Sequence, residues 1–301
     1  MTVRWLKLVV STACLAVLLW WTDAAAVVER LQNADMTWIT LGLLAITAST
    51  FAMASRWKIA ASEIGVQITY PVAVREYYLA QLINTVLPGG VAGDVTRAVR
   101  ARHTADLNRA AQSVMAERLL GQIAVLAFMF VGFAVALLVT GGLEFGQLGR
   151  VVMTALAGCI IVAVAVSRLQ NATGRFLRMT FQLTRRPVVI LHGLITTLCL
   201  VFGFYACARA TGVIMPAEAL ATLIPLILCA MLIPLSVGGW GWREGAAAAL
   251  FPIIGAPASA GVATGITYGV VLLAAALPAA VILVAQPPLD TASSKGKPDL
   301  P

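Results

Sequence analysis

Arg243 and Glu244 stand in a stretch where charge is hard to accommodate, since Glu218 is the only other charged residue between Arg209 and Asp290. An ionised side chain near the middle of a bilayer costs about 2.5–3.5 kcal/mol on insertion scales, so two without partners would cost about 5–7 kcal/mol. Such residues must be paired or wet. They close a segment, Ile233-Pro234-Leu235-Ser236-Val237-Gly238-Gly239-Trp240-Gly241-Trp242-Arg243-Glu244, whose order repeats that of Leu87-Pro88-Gly89-Gly90-Val91-Ala92-Gly93-Asp94-Val95-Thr96-Arg97. Each runs from an apolar stretch through a proline, a glycine pair and a further glycine to charges of both signs. Backbone that leaves the helix inside hydrocarbon survives only where protein or a water-filled cavity satisfies its N–H and C=O groups, and a matched pair of breaks points to a translocation site.

The chemistry these residues offer is anion binding. Gly89, Gly90 and Gly93 in one break, and Gly238, Gly239 and Gly241 in the other, let backbone amides and a helix start approach a phosphate, to which Arg97 can pair. Asp94 and Arg97, three apart, share a helix face; the alternative for them is a helix cap and a topology determinant. Asn84 can bond freed carbonyls near Pro88 or a lipid headgroup. Glu117 and Arg118 are adjacent, about 100° apart on a helix, so each needs another partner, and Glu117 shares a face with Gly121, where a neighbour can come close. They line the cavity or form a plain interfacial pair. Pairing of Arg243 with Asp94, and of Glu244 or Glu117 with Arg97, would join the half-motifs around one cavity. Trp240 and Trp242 hold an acyl chain, line that cavity or anchor at the interface. No Ser/His/Asp set, Walker loop, HExxH or paired-carboxylate motif occurs, which argues against an ATP-driven pump and gives no catalytic residue and no cofactor.

Composition sets the frame for these elements. Hydrophobic residues make up 60% of the 301, charged residues 11%, and the mean hydropathy is +0.91. An integral membrane protein follows, with no room beside the spans for a soluble catalytic domain of ordinary size. The net charge of +8 lies in loops between apolar runs, where it fixes topology and attracts anionic lipid headgroups; it does not indicate nucleic acid. Cys14, Cys159, Cys199, Cys207 and Cys229 all fall inside apolar runs, reading as small hydrophobes with no metal site or disulfide framework.

Along the chain, Trp5 to Trp21 reads as an uncleaved first span, with a cleavable signal peptide as the alternative, and Trp38 to Ala54 as the second, around an acidic loop holding Asp23, Glu29 and Asp35. Tyr77 to Val91 is too short to cross and reads as re-entrant. Residues 94–118 form a basic segment lying at the interface. Spans follow over Leu119–Thr140, Val151–Val166, Val188–Ala208, Ala219 to about Val237 and Gly261–Ala285. Ala246–Ile254 is again too short alone, leaving the side of the C-terminus open. Segments 1–7, 55–76, 94–118 and 168–187 hold fifteen of the 21 basic residues, which places the N-terminus in the cytoplasm. The fold class is all-α, a polytopic membrane helix bundle with two re-entrant or broken helical segments in a pseudo-repeat arrangement, over residues 1–286, with a disordered tail at 287–301.

The stretch Tyr77-Tyr78-Leu79-Ala80-Gln81-Leu82-Ile83-Asn84-Thr85-Val86 followed by the first break, then Ala116-Glu117-Arg118, then Pro234 through Glu244, resembles in order and spacing the lysylphosphatidylglycerol synthase transmembrane region, a flippase-like family. The resemblance implies a multi-pass inner-membrane protein that moves a phospholipid or a polyprenyl-phosphate-linked lipid between leaflets through a polar cavity. It also implies substrate-binding roles for Asn84, Gly89, Gly90, Gly93, Asp94, Arg97, Glu117, Arg118, Gly238, Gly239, Gly241, Arg243 and Glu244. Trp242 departs from the smaller residue expected there. The synthases' soluble aminoacyl-transfer domain has no counterpart in this sequence, so that chemistry is not implied. An accessory part of a lipid-linked glycosyltransferase system is the alternative, with a glycosyltransferase or aminoacyl-transferase as partner and a homo-oligomer left open.

Overall fold

A computed structural model describes residues 2–87, 90–101, 106–138, 146–233 and 237–285. Pro88, Gly89, Pro234 and the tail lie outside the described residues. The secondary structure of the described residues is helical, and among them five segments are long and apolar enough to cross a membrane. These are α3 (Met36–Glu63), α6 (Leu107–Leu138), α7 (Gly146–Ser167), α9 (Pro187–Ala210) and the segment Ala258–Val284, which joins α13 (Ala258–Ala276) to α14 (Pro278–Ala285).

The first helix, α1 (Thr2–Trp21), turns by 98° into α2 (Ala24–Gln32), and the two together make a sixth candidate span. Of the acids expected in an outer loop here, Glu29 lies within α2 and the two aspartates start helices. Asp23 accepts the amides of Ala25 and Ala26 to start α2, and Asp35 accepts that of Thr37 at 2.7 Å to start α3. Each satisfies first-turn N–H groups that have no partner within the helix.

α3 is longer than the expected second span because Arg56 and Lys58 do not end it. At about 1.5 Å per residue its 28 residues reach well past the ~30 Å hydrocarbon core. Its main partner is α9, and two glycines bring the axes together: a Cβ on Gly203 would stand 2.7 Å from Ile46 Cδ1, and one on Gly42 3.4 Å from the Gly203 carbonyl oxygen. Ile46, Phe204, Leu223, Ile224, Phe251 and Tyr268 form the fully enclosed core against this pair.

Short helices carry the breaks. α4 (Tyr70–Val86) and α5 (Ala92–Ala101) flank the first, and neither is among the candidate spans. Gly93 on α5 meets α4 so closely that a Cβ there would lie 2.1 Å from the Ala80 carbonyl oxygen. The second break follows α10 (Ala217–Ala221) and α11 (Leu223–Ala230) and precedes α12 (Trp242–Leu250), which passes into a 3-10 turn, Phe251–Ile254. The expected full span from Ala219 to Val237 is therefore corrected: Thr222 and Pro225 interrupt the run, leaving two short helices. The all-basic stretch after α7 holds α8 (Ala172–Leu183), capped by the Asn171 side chain accepting the Gly174 amide at 2.8 Å.

Candidate functional site

The two breaks meet. A Cβ on Gly238 would stand 3.0 Å from the Thr85 carbonyl oxygen at the end of α4, and both segments contribute to one cavity of about 430 Å³. Its wall is largely apolar, from Ile46, Leu126, Leu200 and Leu228 among others, with Arg56, Asp94, Glu117, Arg118 and Arg243 as its charged members and Gln81, Asn84, Thr85, Gln122 and Tyr268 adding polar atoms.

The first half of the site is an ion-pair chain. Glu117 Oε1 accepts from Arg56 Nη2 at 2.7 Å and Oε2 from Arg97 Nη2 at 3.2 Å, with all three side chains buried. Arg97 also pairs with Asp94 Oδ1 at 3.2 Å, and Arg118 pairs with Asp94 Oδ2 while donating to the Gly90 carbonyl at 2.6 Å. Helix geometry explains why the chain closes. Gly121 lies one turn beyond Glu117, and a Cβ there would come within 2.7 Å of Arg56 Nη2, so its absence admits the guanidinium. The expected close approach at Gly121 is thus made by Arg56. Arg97 is held between two aromatic rings, its Cζ 4.5 Å from the Trp57 centroid and 4.4 Å from that of Tyr77. Such contacts contribute about 0.5–2 kcal/mol each. Asn84 joins the two helices of the break: its Oδ1 accepts the Gly93 amide at 2.7 Å, serving an unpaired N–H in the first turn of α5.

The second half is self-contained. Glu244 reaches back to the Gly241 amide, which donates to Oε2 at 2.6 Å, and its Oε1 accepts from Arg243 Nε at 3.1 Å and from Nη2. The third residue of a helix returning to the amide just before it is half of a capping box, and it seals the start of α12. The Arg243 guanidinium lies 4.9 Å from the Trp240 ring centroid. Space for the group comes from α13, where a Cβ on Gly269 would fall 2.3 Å from Arg243 Nη2 and one on Gly265 3.0 Å from Glu244 Cγ. Gly238, Gly239 and Gly241 have φ of +55°, +83° and +89°, a region where a side chain is strained. α1 closes the back of this break: Ser11 Oγ accepts the Val237 amide at 3.1 Å, and Cys14 packs where a Gly241 side chain would be.

Of the residues anticipated from sequence, Asn84, Gly90, Asp94, Glu117, Arg118, Gly238, Gly239 and Arg243 line the cavity. Gly93, Arg97, Gly241 and Glu244 stand behind the wall and hold it, and Gly89 lies outside the described residues. The pairing of Arg97 with Glu117 is formed. That of Arg243 with Asp94 is not: Arg243 pairs with its chain neighbour and Asp94 with Arg97 and Arg118. Trp240 lines the cavity, whereas Trp242, half-buried, does not.

Sequence reasoning missed Arg56, Trp57 and Tyr268 as site residues, and treated Arg56 as a loop marker. A signal existed for Arg56, which is flanked by apolar residues from Phe51 to Trp57 apart from Ser55. Another was the run Gly261, Gly265, Gly269, four apart, a small-residue face along which α12 packs. Among the described residues four buried arginine nitrogens lack a hydrogen-bond acceptor, and two of them, Nε and Nη1, are on Arg97 behind the cavity wall. The other two, Arg56 Nη1 and Arg243 Nη1, are on residues that line the cavity. Over Arg56, Arg97, Arg118 and Arg243 against Asp94, Glu117 and Glu244 the formal balance is 4 − 3 = +1.

The lysylphosphatidylglycerol synthase TM region family matches residues 4–280, and the chain belongs to it. It is also similar to UPF0104 membrane protein PH1989 of Pyrococcus horikoshii, at 22% identity over 138 residues, 44% of this chain and 41% of that one. The chain therefore spans less than half the length of the curated relative it matches.

Proposed function

We propose that this member of the lysylphosphatidylglycerol synthase TM region family is a lipid carrier. The cavity between its two breaks takes the phosphate-bearing headgroup of a phospholipid or lipid-linked substrate, while the tails stay in the bilayer. The observation that carries this reading is the excess of guanidinium over carboxylate around one cavity, with an unpaired N–H on Arg56 and another on Arg243. Buried donors without acceptors are costly, and a phosphate oxygen is the acceptor best matched to them. A charged headgroup crossing hydrocarbon alone meets a barrier that such a cavity lowers by replacing its hydration.

In this reading Arg56, Arg118 and Arg243 contact the phosphate, Glu117 and Glu244 hold the arginines when the cavity is empty, and the glycine breaks supply hinges and amides. The basic segments around α8 support a cytoplasmic N-terminus in an inner membrane. Purified protein in vesicles with a fluorescent reporter lipid on one leaflet tests the proposal. Protein-dependent leaflet exchange, abolished by Arg118→Gln, is expected. Exchange that appears only with a glycosyltransferase or aminoacyl-transferase added would favour the accessory role, and no exchange under either condition would end the carrier reading.

A further inference from the structure

Asp94 is bonded in a way that suits a group made to be displaced. Its two carboxylate oxygens face different arginines: Oδ1 meets Arg97, which is enclosed, and Oδ2 meets Arg118, whose side chain is 36% exposed and lies in the cavity wall. Asn84 Nδ2 donates to the same Oδ2 at 3.4 Å. If Arg118 turned to another anion, Asp94 would keep Arg97 and Asn84 as partners and be left neither bare nor unbalanced.

We infer that the Asp94 carboxylate is a resident substitute for the ligand's phosphate on Arg118, and that the site takes a headgroup with one net negative charge: a phosphodiester. The carrier reading enters only in taking this cavity as the headgroup seat. The cluster holds four arginines and three carboxylates, a formal +1. One phosphodiester brings that sum to zero. A phosphomonoester dianion would leave a buried negative charge, a zwitterionic headgroup would leave the positive one, and a lysylated headgroup would add to it. Displacement also frees the Gly90 carbonyl from Arg118 in the first break, and Arg56 and Arg243, whose Nη1 atoms have no acceptor, line the same cavity. Headgroup charge, and not headgroup size, is then the property selected.

Binding of short-chain probes to the intact protein in detergent tests this without requiring transport. The probes are dihexanoyl phosphatidylglycerol, its lysyl ester, dihexanoyl phosphatidylcholine, dihexanoyl phosphatidate at about pH 8, where its monoester is a dianion, and a farnesyl phosphoryl hexose. The two phosphodiester monoanions, phosphatidylglycerol and the prenyl phosphoryl sugar, should bind about tenfold or more tighter than the zwitterion, the lysyl ester or the dianion. Whichever of the two binds tighter names the source. Asp94→Asn leaves the cluster at +2 and should shift the dianion-to-monoanion ratio about tenfold toward the dianion. Arg118→Gln should remove about tenfold of monoanion affinity with little change in thermal stability; this variant carries the test if Asp94→Asn fails to fold. A wild-type preference for any other charge class, no binding of any probe, or ratios unmoved by both variants overturns the inference. Selective binding without leaflet exchange would retain it and end the carrier reading. Exchange with no charge preference would do the reverse.

Discussion

Gly238 of the second break lies against Thr85 at the end of the first broken helix, so closely that a side chain at Gly238 would meet the Thr85 carbonyl at 3.0 Å. Residues 153 positions apart in sequence thus share one wall. Gly238→Ala places a methyl 3.0 Å from that carbonyl oxygen and 3.3 Å from Thr85 Cα, on a residue whose φ of +55° already strains a side chain. Gly90→Ala carries the same backbone strain at φ +61° but has nothing within 4 Å of its added methyl. The thermal midpoint in detergent should therefore fall further for Gly238→Ala than for Gly90→Ala. Equal effects would mean that the two breaks do not share a wall.

Glu117 is the acceptor that Arg56 and Arg97 have in common. Glu117→Gln leaves two enclosed guanidinium groups short of their counter-charge. Breaking a buried ion pair from one side costs about 3–5 kcal/mol. A large drop in thermal midpoint in detergent is expected, exceeding that of Arg109→Gln, whose pair with Asp106 is exposed; equal effects would contradict the burial of the cluster.

Gly269 makes room for Arg243 and Trp240. Gly269→Ala places a methyl 2.3 Å from Arg243 Nη2 and 2.8 Å from the Trp240 ring. The guanidinium can shift, whereas the ring and the α12–α13 packing resist. We expect loss of ligand binding and exchange at modest cost in stability. Gly158→Ala is the matched control, since nothing lies within 4 Å of its added methyl, and in a helix it should be neutral or gain about 0.5–1 kcal/mol.

Ser11 ties α1 to the second break through the Val237 amide. Ser11→Ala leaves that buried N–H without its acceptor, at about 1–3 kcal/mol. Faster hydrogen exchange confined to the segment around Val237 is the expected signature, and unchanged protection there would mean that α1 does not cap the break.

Much of this molecule is legible in its sequence. Hydropathy marks a helical membrane protein because a spanning backbone in hydrocarbon must satisfy its hydrogen bonds internally. The matched Pro-Gly segments mark where helices stop, since glycine at positive φ and proline without an N–H break the helix locally. Both are properties of short windows, and sequence contains them. The adjacency of Glu117 and Arg118 likewise predicts that each seeks another partner, and each does.

Partner choice is what tertiary structure decided. Arg56 reads as a loop charge in sequence and becomes the ligand of Glu117 only because α3 continues past it and Gly121 on α6 leaves a hole of its size. Arg243 binds its own neighbour because Glu244 is pulled back to the Gly241 amide, which brings adjacent side chains together against the usual divergence along a helix. Charge and spacing can be read from a chain, but an ion pair forms where packing leaves room for the guanidinium and removes its water, and those conditions come from helices distant in sequence.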